Sequence, residues 1–128
     1  MQMATFAAID IGTYDVFLEI FEISRKQRIR SIDKIRHRIE LGKDTYTNGK
    51  ISPEMEEELC SVLGDFVRIM DGYKVNAYRA VATSSLREAE NSLFILGKIR
   101  QLTGLKVTIL SNSEQRFLGY KALATMET

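Results

Sequence analysis

Histidine, cysteine, proline and tryptophan are scarce in this 128-residue chain, which has one histidine, one cysteine, one proline and no tryptophan. Because His37 is the only histidine, a metal site made of several histidines is excluded. Because Cys60 is the only cysteine, an internal disulfide and a cysteine-rich metal site are excluded as well. Cys60 falls on the apolar side of a predicted helix, which indicates a core residue rather than a reactive thiol.

The chain also lacks a large net charge and a long apolar run. Its formal net charge is +1, so no bulk electrostatic field draws it to nucleic acid or to a membrane surface. No run of 18 apolar residues is present, and the N-terminus lacks the charged-then-apolar pattern of a signal peptide. We therefore expect a cytoplasmic protein that binds neither nucleic acid nor membrane.

The densest group of basic residues runs from Arg25 to Arg38. It is interrupted by Asp33 and by several isoleucines, and it contains no aromatic residue. Charge runs of this kind usually form a solvated surface. We interpret the stretch as the exposed face of a strand, and a binding track for a polyanion is the alternative.

What the chain does contain is ordinary for one globular domain. Hydrophobic residues make up 45% of the sequence and charged residues 27%, and 128 residues are enough for one domain with a real core. Alternating apolar residues predict strands over Thr5–Ile11 and Asp15–Ile23, and a third, more basic strand reaches about Ile35. These three strands form an antiparallel meander, and residues 41–50 are predicted to be a loop.

Ser52-Pro53-Glu54 predicts a helix start, with serine as the N-cap and proline in the first turn. The helix buries a stripe at alternating steps of four and three and ends at Asp71-Gly72. The residues of this stripe are Met55, Leu59, Val62, Phe66 and Ile69.

The second half of the chain alternates strands with helices. Lys74–Ala82 and Leu105–Leu110 are predicted strands. The helical region between them begins near Thr83, with Ser85 and Glu88 as a capping box. It breaks at Asn91-Ser92 and resumes over Leu93–Leu102. A last helix is predicted along Phe117, Tyr120 and Leu123.

The resulting order is βββαβαβα, which predicts an α/β fold with a mixed five-stranded sheet and helices on its faces. This is the ribonuclease-H-like layout, which actin, sugar kinases and heat-shock ATPases use twice. No internal repeat is visible, so residues 1–128 are predicted to be a single domain and one lobe of such a pair.

Three polar turns follow strands that we expect to be parallel: Asp10–Asp15, Thr83–Asn91 and Ser111–Gln115. Because ligands bind at the carboxyl ends of such strands, the three turns predict one shared site. In the first turn, Gly12 lets backbone amides approach a phosphate, and Asp10 is a candidate ligand for Mg²⁺. An isolated Asp-x-Gly-Thr is also common in hairpins, so a plain turn is the competing interpretation.

The other two turns bring charged groups to the same place. Thr83 and Ser84 present hydroxyls, Arg87 can neutralise phosphate, and Glu88 can polarise water. In the third turn, Glu114 and Gln115 follow a possible helix N-cap at Ser113. For both turns an ordinary capped helix with a surface ion pair is the alternative.

Taken together, these segments resemble the exopolyphosphatase / guanosine pentaphosphate phosphohydrolase (Ppx/GppA) family. The resemblance covers nearly the whole chain, and its most specific block is Arg79–Asn91. The remaining matching segments are Ala7–Thr13, Leu41-Gly42, Gly49–Ser52, Thr103–Leu105 and Ile109–Ser111.

The resemblance implies Mg²⁺-dependent hydrolysis of a terminal phosphoanhydride in polyphosphate or guanosine pentaphosphate. Phosphate would bind between two ribonuclease-H-like lobes, and glutamates, Glu88 among them, would activate the attacking water. The phosphate-binding residues implied on this chain are Gly12, Thr13, Tyr14, Thr83, Ser84 and Arg87. The second lobe lies outside these 128 residues, so we expect this lobe alone to be inactive, and its exposed inner wall favours a homodimer.

Two positions depart from the family pattern. Glu114-Gln115 replaces two adjacent acids, and the second of those is the catalytic base that the resemblance implies. Thr13-Tyr14-Asp15 replaces a Ser-Asn-Ser, so a carboxylate stands beside the phosphate loop. These departures support an alternative hypothesis, a catalytically impaired phosphate- or nucleotide-binding regulatory module. A kinase-type ATPase of the same superfold and a nuclease are further alternatives, and the Arg79–Asn91 block disfavours the first.

Overall fold

A computed structural model describes residues 4–26 and 28–111 of the chain. The described part contains five strands and four helices. In chain order these are β1 (Ala4–Ile11), β2 (Asp15–Ile23), β3 (Ile29–Arg38), α1 (Leu41–Asn48), α2 (Pro53–Tyr73), β4 (Ala77–Ala82), α3 (Ser84–Arg87), α4 (Ser92–Thr103) and β5 (Val107–Ile109).

The strands form one mixed sheet in the order β3-β2-β1-β4-β5. The first three strands pair antiparallel, whereas β4 pairs parallel to β1 and to β5. The predicted α/β architecture with a mixed five-stranded sheet is therefore confirmed. The described helices lie in the β3–β4 and β4–β5 connections, as crossover helices do.

One face of the sheet forms the core. The alternation predicted for β2 is confirmed, because Val16, Leu18 and Ile20 are all fully buried. They join the buried side chains of α2, α3 and α4 in one hydrophobic cluster, which includes Cys60 as predicted. The helix stripe is confirmed at Leu59, Val62 and Phe66, while Met55 and Ile69 pack at its margin.

The opposite face of the sheet is more open. Its residues on β1 and β2 are partly buried or exposed, including Phe6 and Phe21, whose rings stack 4.9 Å apart. Several cations lie along β3 on this face, and Lys34 pairs with Glu19 at 3.8 Å. Most residues of β3 are exposed, which agrees with the prediction that the basic stretch forms a solvated strand face.

Residues 41–48 are a helix, not the predicted loop. The segment contains glycine and two β-branched threonines, so its intrinsic helix propensity is low. Tertiary contacts stabilise the helix instead: the Gly42 amide donates to Thr13 O at 2.9 Å, and Thr45 Oγ1 donates to Ser85 O at 2.8 Å. Both partners are distant in sequence, which is why a local pattern did not reveal α1.

Element ends also differ from the predictions. Helix α2 begins as predicted, with Ser52 Oγ accepting from the Met55 amide at 3.2 Å. It continues past Asp71-Gly72 to Tyr73, where Lys74 adopts a left-handed conformation with φ 54°. Strand β3 extends to Arg38, because its pairing with β2 continues to Asp15. The predicted helix along Phe117, Tyr120 and Leu123 lies outside the described residues.

Candidate phosphate-binding site

The carboxyl ends of three parallel strands lie side by side at one edge of the sheet. Ile11 of β1 pairs with Ala82 of β4, and Ala82 pairs with Ile109 of β5. The turns that begin at Gly12 and Thr83 therefore start next to each other. We call the residues where these two turns meet, namely Gly12, Thr13, Thr83, Ser84 and Ser85, the rim site.

The first turn is compact and closes on itself. The Gly12 amide donates to Asp15 O at 2.9 Å, so one backbone N–H of the expected phosphate cradle is used within the turn. A Cβ on Gly12 would lie 3.2 Å from the same oxygen. A side chain at position 12 would therefore be a tight fit against Asp15, and the plain-turn interpretation accounts for this part of the motif.

The second turn is attached directly to the first. Ser85 is fully buried, and its hydroxyl donates to Gly12 O at 3.0 Å. Thr83 is also buried, and its amide donates to Ile11 O at 3.3 Å. The predicted Ser85–Glu88 capping box is wrong, because Thr83 is the N-cap of α3 and makes no side-chain cap bond. The Ser85 hydroxyl instead donates a hydrogen bond to the backbone oxygen of Gly12, which is distant in sequence.

Three hydroxyls meet on the accessible side of the rim site. Thr13 Oγ1 and Ser84 Oγ are 3.5 Å apart, and Tyr46 OH donates to Ser84 Oγ at 2.9 Å. Tyr46 comes from α1, where the sequence pattern predicts a loop and therefore gives no signal for this residue. The Thr13 and Ser84 hydroxyls can each donate to a phosphate oxygen, whereas the Tyr46 proton is donated to Ser84.

Arg87 and Glu88 lie at the end of α3. Arg87 Nη1 donates to Leu110 O at 2.6 Å, which joins this side chain to the end of β5. A guanidinium carries five N–H donors, so one arginine side chain can contact several acceptors at once. Glu88 is exposed, and its amide donates to Ser84 O at 3.0 Å, which places its backbone one turn from the Ser84 hydroxyl.

Two carboxylates flank the first turn on the open face of the sheet. Asp10 and Asp15 lie at the ends of β1 and β2, and Arg36 Nε is 3.2 Å from Asp15 Oδ2. Partial desolvation at the sheet surface, followed by the Asp15 charge, raises the pKa of the exposed Asp10 carboxyl above its usual range. Its raised pKa shows that a negative charge at Asp10 is opposed by its surroundings.

This pair of carboxylates fits Mg²⁺ in its chemistry. Mg²⁺ prefers oxygen ligands and usually binds one or two carboxylates together with water and substrate phosphates. Among residues 4–26 and 28–111, no group of three or more histidine, cysteine or acidic side chains is placed to hold a metal ion. Water and substrate oxygens would therefore have to supply the remaining ligands of an ion at Asp10 and Asp15. A cation would also relieve the repulsion between Asp10 and Asp15.

The remaining predicted site residues fall into two groups. Tyr14 is 66% exposed beside the first turn, in an open depression of about 500 Å³ that Asp15, Arg36 and Arg38 also line. Glu114 and Gln115 lie outside the described residues. The last described residues follow β5, where the Leu110 amide donates to Ala82 O at 2.9 Å.

Comparison with known proteins decides the family. The model of the Ppx/GppA phosphatase family matches residues 20–127. This chain belongs to the Ppx/GppA phosphatase family. The predicted resemblance to this family is therefore confirmed, and the matched range includes helix α1 with Tyr46, the second turn and Glu114-Gln115.

Two relatives illustrate the range of this Ppx/GppA family. The chain is 26% identical over 115 residues to Exopolyphosphatase 1 of Mycobacterium leprae (strain TN), covering 90% of this chain and 34% of that protein. It is 23% identical over 120 residues to guanosine-5'-triphosphate,3'-diphosphate pyrophosphatase of Photobacterium profundum, covering 93% of this chain and 24% of that protein. The chain thus spans about a third or less of the length of these relatives.

A solved Ppx/GppA structure has the same fold. The crystal structure of the Aquifex aeolicus family member superposes with a TM-score of 0.93 at 28% sequence identity, covering 97% of this chain and 40% of that one. The predicted ribonuclease-H-like, actin-like fold is therefore confirmed. No helix among residues 4–26 and 28–111 is both long and apolar enough to cross a membrane.

Proposed function

We propose that this Ppx/GppA domain is the N-terminal phosphate-binding lobe of a phosphohydrolase. Its reaction would be hydrolysis of the terminal phosphoanhydride of polyphosphate or guanosine pentaphosphate. The observation that supports this most directly is the rim site, where Ser85 joins the second turn to Gly12 at 3.0 Å. Relatives named for both of these activities add support.

The terminal phosphate would bind against the accessible hydroxyls of the rim site. Thr13 and Ser84 are partly exposed there, whereas Thr83 is buried and would contribute position rather than direct contact. Gly12 and Tyr14 would complete the edge of the pocket, and Arg87 would offset phosphate charge. Hydrogen bonds to an anionic phosphate are stronger than those between neutral groups, so a few donors suffice.

Mg²⁺ would be held by Asp10, with Asp15 as the second carboxylate. When bound, the ion would neutralise phosphate charge and orient the substrate. Asp10 must be ionised to hold it, and its raised pKa favours a bound cation over a bare charge. Asp15 would otherwise repel phosphate, so the metal also explains how an acid is tolerated beside the phosphate loop.

Glu88 would act on the attacking water. It is exposed near the rim site, and the described residues place no ion-pair partner within 4.0 Å of it. A carboxylate can accept the proton that water loses as its oxygen attacks phosphorus. Glu114 would assist, and Gln115 could orient the water but not accept its proton.

The experiment is an assay of phosphate release by the full-length protein with Mg²⁺ on polyphosphate and on guanosine pentaphosphate. We expect turnover on at least one of them, and Glu88→Gln should lower kcat by about 10²- to 10⁴-fold. Glu57→Gln, an exposed glutamate on α2, is the matched control and should leave kcat unchanged. A folded protein with no turnover on either substrate would refute the proposal.

For the 128 residues alone we expect phosphate binding without useful turnover. One wall of a cleft cannot exclude water or surround a phosphoryl group with donors. A second ribonuclease-H-like lobe, or a second copy bound through the exposed wall, would complete the cleft.

A second candidate is a regulatory module that binds phosphate or nucleotide without efficient hydrolysis. Gln115 at the position of the expected base favours it, as does Asp15 beside Gly12. Gln115→Glu distinguishes the two candidates: a gain in kcat of about 10²-fold or more indicates that the base was lost. A protein already active with Gln115 supports the phosphohydrolase.

A further inference from the structure

Helix α1 attaches to both turns of the rim site. Its Gly42 amide donates to Thr13 O at 2.9 Å on the first turn, and its Thr45 hydroxyl donates to Ser85 O at 2.8 Å on the second. Tyr46 follows directly, and its phenol donates to Ser84 Oγ at 2.9 Å. The hydrogen bonds from Gly42 and Thr45 therefore fix the helix that carries Tyr46 against the two turns of the rim site.

We propose that Tyr46 is a positioning residue that aims the Ser84 hydroxyl proton at the bound anion; this inference rests on the proposed function. A serine hydroxyl has one proton and two acceptor lone pairs. Because Tyr46 donates to one lone pair of Ser84, the Ser84 proton must point elsewhere. Among the described residues, the other hydroxyl next to Ser84 Oγ is Thr13 Oγ1, at 3.5 Å.

That second bond is long, and long hydrogen bonds are weak. A phosphate oxygen placed between Thr13 and Ser84 would accept the Ser84 proton in a shorter, charge-assisted bond. Without the Tyr46 hydroxyl, the Ser84 oxygen would have a free lone pair and its proton would lose its fixed direction. The phenol thus prepares a donor before the anion arrives, which lowers the ordering cost of binding.

Tyr46 lies at the surface of the site. It is 56% exposed, so its ring is not part of the core. Loss of only its hydroxyl should leave the packing of the ring unchanged. Tyr46→Phe is therefore a clean test of the hydrogen bond.

The test measures inorganic phosphate affinity of the full-length protein by titration calorimetry, together with kcat/KM for phosphate release. We expect Tyr46→Phe to weaken phosphate binding and lower kcat/KM by about 3- to 10-fold, the usual range for one hydrogen bond. Tyr73→Phe is the matched control, since Tyr73 OH donates to Asp33 at 2.7 Å near the far end of α2. It should change neither quantity.

A double-mutant cycle shows whether Tyr46 acts through Ser84. If it does, Tyr46→Phe has no further effect on phosphate affinity in a Ser84→Ala background. Additive effects of the two changes, or a Tyr46→Phe variant with wild-type phosphate affinity, would overturn this inference while leaving the proposed function intact. A wild-type protein that neither binds phosphate nor hydrolyses a phosphoanhydride would overturn both.

Discussion

Gly42 and Thr13 are packed so closely that the backbone of α1 touches the first turn. The Gly42 amide donates to Thr13 O at 2.9 Å, and a Cβ on Gly42 would overlap Cγ2 of Thr13. Thr13 could avoid the overlap by turning its side chain, but this would move Oγ1 away from Ser84. The absence of a side chain at position 42 therefore shapes the rim site.

Gly42→Ala should destabilise the protein by about 1–3 kcal/mol, the usual cost of adding a methyl group to a packed contact. It should also weaken phosphate binding, because either Thr13 or α1 must shift. Gly97→Ala in α4 is the control. No atom of the described residues outside the local helix backbone lies within 4 Å of the added Cβ, so helix propensity should stabilise that variant by about 0.5–1 kcal/mol. Urea unfolding measures the free energy of unfolding of both variants. Equal changes in Gly42→Ala and Gly97→Ala would contradict the close contact between Gly42 and Thr13.

Ser85→Ala should cost about 1–3 kcal/mol, because Gly12 O would lose its buried donor. The same change should weaken phosphate binding, since it releases the first turn from the second. Ser31→Ala on the exposed part of β3 is the control and should stay within about 0.5 kcal/mol of wild type. Urea unfolding of both variants checks this, and a Ser85→Ala variant as stable as Ser31→Ala would show that the bond to Gly12 contributes nothing.

Asp10→Asn should change how stability depends on pH in the absence of Mg²⁺. The pKa of Asp10 is raised by desolvation and then by Asp15, so folding favours its protonated form. The stability that protonated Asp10 contributes is fully present below the ordinary aspartate pKa of 3.8. It is lost as the pH rises through the raised pKa of Asp10 in the folded protein. At neutral pH the Asp10→Asn variant should therefore be the more stable one, and near pH 3 the two proteins should converge.

Thermal unfolding from pH 3 to 8 checks this prediction, with Asp71→Asn as a charge control at the end of α2. Added Mg²⁺ should raise the Tm of the wild-type protein but not that of Asp10→Asn. If Tm changes with pH in the same way in wild type and Asp10→Asn, the folded protein does not disfavour the ionised form of Asp10. An equal Mg²⁺ response would place the cation elsewhere.

Asn91→Asp should destabilise the link between the start of α4 and the segment before α2. The Asn91 side chain pairs with both backbone groups of Ile51, accepting from its amide at 3.1 Å and donating to its carbonyl at 2.9 Å. Aspartate keeps the acceptor but loses the donor and places a charge beside the carbonyl, at a cost of about 1–3 kcal/mol. Guanidinium unfolding measures it, and a loss below about 0.5 kcal/mol would contradict the pairing.

Much of the fold followed from local patterns. The alternation of β2, the Ser52 cap of α2 and the break near Asn91 were predicted and are confirmed. Each of these depends on side chains a few residues apart, so the sequence carries the information directly. The meeting of Gly12 and Thr83 was also predictable, because parallel strands place their carboxyl ends at one edge.

Other features depended on partners far along the chain. Helix α1 forms from residues of low helix propensity because hydrogen bonds to Thr13 and Ser85 stabilise it. The Ser85 hydroxyl does not cap its own helix but donates to Gly12 O, 73 residues away. Tyr46 entered the site for the same reason. By itself the sequence determined the order of the strands, the start of α2 and the chemical character of the turns, since these arise from neighbouring residues. Only tertiary structure decided which hydroxyl faces which, because a hydrogen bond forms between groups that the folded sheet brings together, whatever their separation in the chain.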